Sequence, residues 1–175
     1  MKRFLIVLAL FMLTSLGCMA QGRRAWDTIP KGFDKKVIAF IVEESLKNDI
    51  DPELIFALIN EESEWKLLPP SKNRNGTYDY GLMRLNGAYI DEYIWRYGDK
   101  GRKYYPKTNI YDNIELGIRH FAVLYRECNG NALLALYSYN CGLTRTLEGR
   151  IPESTKNYAM AILTIYDPSF FIGTD

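Results

Sequence analysis

The chain has 175 residues, of which 47% are apolar, 14% aromatic and 25% charged, a composition that excludes disorder, collagen-like repeats and low-complexity arrays. The formal net charge of +1 provides no electrostatic footprint for nucleic acid or an anionic membrane, so no nucleic-acid partner is expected. One compact domain is the default for this length.

Lys2 and Arg3 precede an apolar run from Phe4 to Leu13, and small residues follow at Gly17, Cys18 and Ala20. This predicts a secretory signal peptide over residues 1–20, cleaved before Gln21, and hence a periplasmic or cell-envelope location. The run is shorter than the ~20 apolar residues of a bilayer span; a core helix or retained anchor is the alternative. Ser15-Leu16-Gly17-Cys18 also resembles a lipoprotein box, with Ser15 where Leu usually stands, so lipidation of Cys18 ranks second. Cleavage would remove two bases and no acid, leaving a nearly neutral chain long enough to bury roughly 68–70% of its unfolded surface without disulfides or metals.

Residues 21–32 read as a polar lead-in, residues 33–166 as the domain and 167–175 as a tail. Asp34 is a capping residue for a helix to about Asn48, with Val37, Ile38, Ile41, Val42 and Leu46 on one face. Asp51-Pro52-Glu53 is a stronger start signal, for a helix to about Trp65. Pro69-Pro70-Ser71 breaks the chain. Asn73 to Asn86 suggests a loop or small β-hairpin turning at Asn75-Gly76, where Asn75-Gly76-Thr77 is better read as a turn than as a glycosylation acceptor. Ile90 to Tyr97 is read as helical. Gly98 to Thr108 is a basic loop, either solvated or in contact with acidic peptide. Asn113 is expected to cap a helix to about Arg126, Asn131 to Tyr139 to form another, and Glu153 to Tyr166 the last. The fold class is mainly α with one small β excursion.

Cys128 and Cys141 flank the helix at 131–139, whose nine residues at ~1.5 Å each hold its ends roughly 13 Å apart. Bridging needs Cα atoms within about 7 Å, so two free, buried thiols are predicted. With His120 as the sole histidine, no metal-ligand set is present and His120 is read as structural.

The helix over 52–65 carries the most informative anomaly. Wound at ~100° per residue with Glu62 at zero, Ile55 lies near +20°, Leu58 near −40°, Ile59 near +60° and Trp65 near −60°. Glu61 falls near −100° and Glu64 near 200°, so Glu62 alone of the three acids lies within the apolar face. A carboxyl there either pairs with a cation or has its pKa raised, as a general acid requires. Asp79 follows beyond a turn, and a hairpin folded over the helix would set the two carboxyls on opposite walls of one cleft. That arrangement suits glycoside hydrolysis; alone, Asp79 would read as a turn residue.

These residues resemble a known family. Glu62-Ser63 at a helix end, followed by Asn-x-Asn-Gly-x-x-Asp-Tyr-Gly-Leu-Met-x-Leu-Asn over 73–86, is similar to the transglycosylase SLT domain of bacterial lytic transglycosylases, within the lysozyme-like superfamily. Asn113-Ile114-Glu115-Leu116-Gly117, Ala135 to Gly142 and the Ile151-Pro152, Thr155 and Tyr158 pattern continue the resemblance, which spans about Ile55 to Leu163. The spacing of Glu62 and Asp79 also resembles c-type lysozymes.

The resemblance implies cleavage of peptidoglycan strands without a cofactor, by a monomer. Glu62 would protonate the glycosidic oxygen between N-acetylmuramic acid and N-acetylglucosamine, then accept the proton of the muramic acid 6-hydroxyl, giving 1,6-anhydromuramic acid; Asp79 would orient the sugar. The same resemblance implies substrate contacts from Ser63, Tyr80, Gly81, Leu82, Met83, Arg84, Asn86, Tyr139, Asn140 and Tyr158. Two alternatives stand beside it: a hydrolytic lysozyme with Asp79 as nucleophile or ion stabiliser, and a non-catalytic glycan-binding module. Arg84 stands where the family usually has Gln, and could meet substrate oxygens or pair with a carboxylate. Cys141 replaces the usual Ala and reads as packing.

Overall fold

The structure is a computed structural model that describes residues 24–167. The expected signal peptide, Cys18 and nearly all of the expected tail lie outside the described residues.

The element order is a 3-10 turn (Ala25–Thr28), α1 (Lys35–Lys47), α2 (Pro52–Ser63), β1 (Ser71–Lys72), β2 (Tyr78–Tyr80), β3 (Leu85–Asn86), α3 (Ile90–Tyr97), α4 (Ile110–Glu127), α5 (Ala132–Cys141), α6 (Leu143–Leu147) and α7 (Glu153–Tyr166). The mainly helical architecture with a small sheet is the one expected. Helix α2 is the hub. It is fully apolar and buried from Leu54 to Ile59 and packs against the 3-10 turn, α1 and, most extensively, α7. A helix enclosed on every side can present a carboxyl only at its end, where Glu62 lies.

Local chemistry explains the boundaries. Asp34 Oδ1 accepts from the Lys36 amide at 2.8 Å and Asp51 Oδ1 from the Glu53 amide at 2.9 Å, satisfying amides that the first helical turns leave unpaired. Asn131 caps α5 in the same way, through the Leu134 amide.

Four expectations are corrected. The cap of α4 is Asn109, which accepts from the amides of Tyr111 and Asp112; Asn113, one turn later on the same face, is buried inside the helix. The hairpin is a three-stranded antiparallel sheet, with Ser71 opposite Asp79 in one pair and Asp79 opposite Asn86 in the other. Residues 24–32 are no mere lead-in: Ala25 is wholly buried, and the rings of Trp26 and Phe56 meet edge-on at 4.6 Å. Finally, α5 continues to Cys141 and is followed by the unforeseen short α6, entered through Gly142 at φ 95°.

Both described cysteines are free, Cys128 buried and Cys141 only partly so. No helix among the described residues is long and apolar enough to cross a membrane.

In the basic loop Lys100, Lys103 and Lys107 are exposed, while Arg102 turns inward. Arg102 reaches inward to buried Asp112 and Glu115 at 2.5 and 2.6 Å, and Arg119 joins Glu115, Glu44 and Asp99 at 2.6, 3.0 and 2.9 Å. Tyr104 donates its hydroxyl to Glu115 Oε1 at 3.0 Å. This network ties the loop and α1 to α4, with every buried acid matched by a donor.

Candidate active site

The last turn of α2 delivers Glu62, and unusual backbone follows it. Glu64 and Trp65 both occupy the left-handed region, at φ 50° and 62°, where non-glycine residues are uncommon. Burial of Trp65 maintains that conformation: its ring meets Phe33 at 5.2 Å and Phe56 at 5.7 Å, and its indole N–H donates to Thr28 Oγ1 at 3.1 Å. The 3-10 turn thus anchors the chain just beyond Glu62.

The sheet is fixed to α4 by Asn113. Its Oδ1 accepts from the Met83 amide at 3.0 Å, and its Nδ2 donates to the carbonyls of Tyr80 at 2.9 Å and Pro106 at 3.1 Å. Gly81 turns at φ 73° directly against this side chain, leaving no room for a Cβ, and Gly117 admits Met83 in the same manner. Two sequence motifs far apart in the chain therefore meet in one contact: Gly-Leu-Met at 81–83 and Asn113 with Gly117.

Between α2, the sheet, α4 and α5 lies a polar cavity of about 630 Å3. Glu62 and Asp79 both line it, as do Arg84, Asn86, Tyr139 and Asn140. Burial pushes the Glu62 carboxyl up to about 7; the negative charge of Asp79 adds to this, while a hydrogen bond from Tyr158 and the charge of Arg84 oppose it. Tyr158 donates to Glu62 Oε1 at 2.5 Å. The Asp79 carboxyl is also raised by burial, against a hydrogen bond from Asn73 Nδ2 to its Oδ1 at 2.9 Å and the charge of Arg84.

The other candidates are placed elsewhere. Ser63 is buried and donates to the Ile59 carbonyl, while the side chains of Leu82 and Met83 are wholly buried in the core; these three are corrected from cleft wall to scaffold. Met83 still acts through its carbonyl, which accepts from the Tyr139 hydroxyl at 2.7 Å. Side chains alternate along β2, so Tyr80, with Gly81, faces a separate hollow of about 300 Å3 that includes Leu67, Leu68 and Lys107. Asn140 Oδ1 accepts from Thr155 Oγ1 at 2.6 Å, linking α5 to α7.

Seven cavity residues were not among the sequence candidates: Asn73, Arg74, Asn75, Leu85, Tyr93, His120 and Arg145. Tyr93 belongs to a tyrosine ladder at positions 89, 93 and 97, a four-residue spacing visible in the sequence. His120 lies among Tyr93, Tyr97 and Tyr139, at centroid distances of 4.8, 5.5 and 5.5 Å. Burial, aided by the charge of Arg96, lowers its pKa to about 4. No group of His, Cys, Asp and Glu suited to a metal occurs among the described residues.

The transglycosylase SLT domain family matches residues 39–161, from within α1 to within α7. The chain belongs to this family. The SLT match includes Glu62, Asp79 and Tyr158. Among solved structures, an inactive mutant of lytic transglycosylase Slt from Pseudomonas aeruginosa is similar, with a TM-score of 0.62 and 22% identity, over 80% of this chain and 25% of that one. The likeness is one of fold, and this SLT chain corresponds to about a quarter of that longer protein.

Proposed function

We propose that this chain is a peptidoglycan lytic transglycosylase that cleaves the β-1,4 bond between N-acetylmuramic acid and N-acetylglucosamine and forms 1,6-anhydromuramic acid. The observation that carries this reading is Glu62, an enclosed carboxyl raised to about 7, facing a polar cavity shared with Asp79.

Such a group is protonated often enough at neutral pH to donate and ionised often enough to accept. In the proposed cycle Glu62 gives its proton to the glycosidic oxygen as the bond from the muramic acid anomeric carbon breaks. The resulting carboxylate then takes the proton of the 6-hydroxyl, whose oxygen closes on the same carbon. Donor and acceptor are one group, so the enzyme ends as it began. Asp79, tethered by Asn73, offers negative charge beside the developing oxocarbenium ion. Every step uses side chains alone, with no cofactor. Family membership and the signal-like sequence at 1–20 support an exported, envelope-associated enzyme acting on glycan strands.

Mass spectrometry of fragments released from purified peptidoglycan tests this, with Glu62→Gln as the control. Products lighter by one water than reducing ends are expected, and Glu62→Gln should lower release by about 10²–10⁴-fold, the usual contribution of general acid–base catalysis. The presence of Asp79 in the same cavity favours one second reading, a hydrolytic lysozyme, for which reducing muramic acid ends would appear. Wall binding without release would reject both in favour of a binding module.

A further inference from the structure

Three arginines reach the cavity from three separate elements: Arg74 from the β1–β2 turn, Arg84 from the β2–β3 connection and Arg145 from α6. Among the described residues none of them forms an ion pair, whereas Arg96, Arg102, Arg119 and Arg150 each hold a carboxylate. Arg84 occupies the left-handed region at φ 48°, donates to the Pro69 carbonyl at 3.4 Å, and acts by charge on both Glu62 and Asp79. With Glu62 protonated, Asp79 is the sole anion among the described residues that line the cavity with these three cations. The excess of positive charge is local, since the whole chain carries only +1.

A neutral sugar chain needs no such field. Its hydroxyl and acetamide groups can be met by neutral amides, and those of Asn73, Asn75, Asn86 and Asn140 line the same cavity. Guanidinium groups instead match carboxylates, which they bind through paired, charge-assisted hydrogen bonds. We propose that Arg74, Arg84 and Arg145 form a carboxylate-reading rim, by which the cleft selects glycan strands bearing free carboxylates beside the bond to be cut. This rests on the peptidoglycan reading above. On such a strand a carboxylate comes either from the lactyl group of a muramic acid stripped of its peptide or from a stem peptide, and the rim chemistry is common to both.

The test compares steady-state cleavage of four strand preparations: stems intact, stems removed by an amidase, and each of these with its carboxylates converted to neutral amides. For the wild-type chain we expect kcat/KM at least about tenfold lower on the amidated strands, the scale of one charge-assisted hydrogen bond lost. The discrimination should fade at high salt. A better rate on stripped strands identifies the lactyl group, and a better rate on stemmed strands the peptide. The double variant Arg74→Gln/Arg145→Gln, altered at two exposed positions, should lose the preference through KM with kcat little changed, while Arg126→Gln, outside the cavity, keeps it. Equal wild-type rates on amidated and free-carboxylate strands would overturn the inference, as would a double variant that retains the preference. If no strand is cleaved, the enzymatic reading fails by itself, and cosedimentation with the same strands then decides the rim: tighter binding of free-carboxylate strands supports it, equal binding rejects it.

Discussion

The hydroxyl of Tyr158 donates to Glu62 Oε1 across 2.5 Å and a sequence separation of 96 residues, joining α7 to the end of α2. It opposes the burial that raises the carboxyl, and these are the two largest effects behind the value of about 7. Tyr158→Phe removes the hydroxyl and leaves the ring. The ionised carboxylate loses more than the protonated acid, because a hydrogen bond to a charged acceptor is the stronger of the two. The alkaline limb of the pH–activity profile should therefore move upward, by about one pH unit. An unmoved limb would show that the proton-donating group is not held by Tyr158.

A raised carboxyl also costs stability, with a definite sign. The folded chain holds the Glu62 proton up to about 7, and the unfolded chain releases it near 4.5. Between those values the native state binds more protons, so stability falls as pH rises and levels off above 7. Glu62→Gln retains an acceptor for Tyr158 and removes the charge. It should be more stable than the parent at pH 8, by up to about 3 kcal/mol, and equal to it at pH 4. Thermal unfolding at the two pH values measures the difference; a variant less stable at pH 8 would contradict enclosure of the carboxyl.

The turn at Gly81 offers a test of the scaffold. Its φ of 73° and its contact with Asn113 exclude a side chain on both conformational and steric grounds. Gly81→Ala is expected to lose about 2–4 kcal/mol in urea unfolding and to impair cleavage as well, since the same turn leads from Asp79 to Arg84. At Gly117 the added methyl would fall 2.6 Å from Met83 Sδ and 2.8 Å from Met83 Cβ; the thioether can turn aside, but the Cβ moves only with its backbone. Gly117→Ala carries no positive-φ penalty and on that ground should cost somewhat less than Gly81→Ala.

How far the sequence revealed this arrangement depended on the range of the interaction. Glu62 was visible because helical periodicity alone places it among Ile55, Leu58 and Ile59, and the Asp34 and Asp51 caps because capping acts over two or three residues. Asn109 and Asn113 are both good capping types one turn apart, and only the fold shows that Asn113 serves the sheet instead. Trp26 looked like part of a polar leader because its partner Phe56 lies in another element. Leu82 and Met83 sit inside the motif without touching the cavity: the motif records a packing contact with Gly117 as well as a site. Arg145 stands on a five-residue helix with no signal of its own.

The buried acids Glu44 and Glu115 were equally hidden, because Arg119 reaches Glu44 across 75 residues. Glu44 and Glu115 are 2% and 3% exposed, so neither can recover hydration if the guanidinium is lost. Arg119→Met preserves much of the side-chain volume and removes the charge. It should destabilise the fold by about 3–5 kcal/mol at neutral pH, the usual cost of breaking a buried pair. Chemical denaturation measures this, and a change below about 1 kcal/mol would mean that the remaining partners, Arg102 and Tyr104 at Glu115 and Lys47 and Asn48 at Glu44, suffice to hold the two acids.

His120 lies in the cavity wall and contributes no charge there at neutral pH. Its Nδ1 lies 3.1 Å from the Tyr97 hydroxyl, and burial among Tyr93, Tyr97 and Tyr139 lowers its pKa to about 4. The imidazole should therefore stay neutral from pH 8 to pH 5 in nitrogen-detected NMR of the folded chain. The stability consequence is opposite in sense to that of Glu62. The unfolded chain takes up a proton near 6.5 that the folded chain refuses until about 4, so stability is full above 6.5 and falls by up to about 3 kcal/mol as pH drops through this window. His120→Phe keeps an aromatic ring in the cluster and abolishes that part of the acid sensitivity. A histidine titrating near 6.5 in the folded chain would instead add a fourth cation to the cavity wall at mildly acidic pH, and selection among strands would then vary with pH as well as with salt.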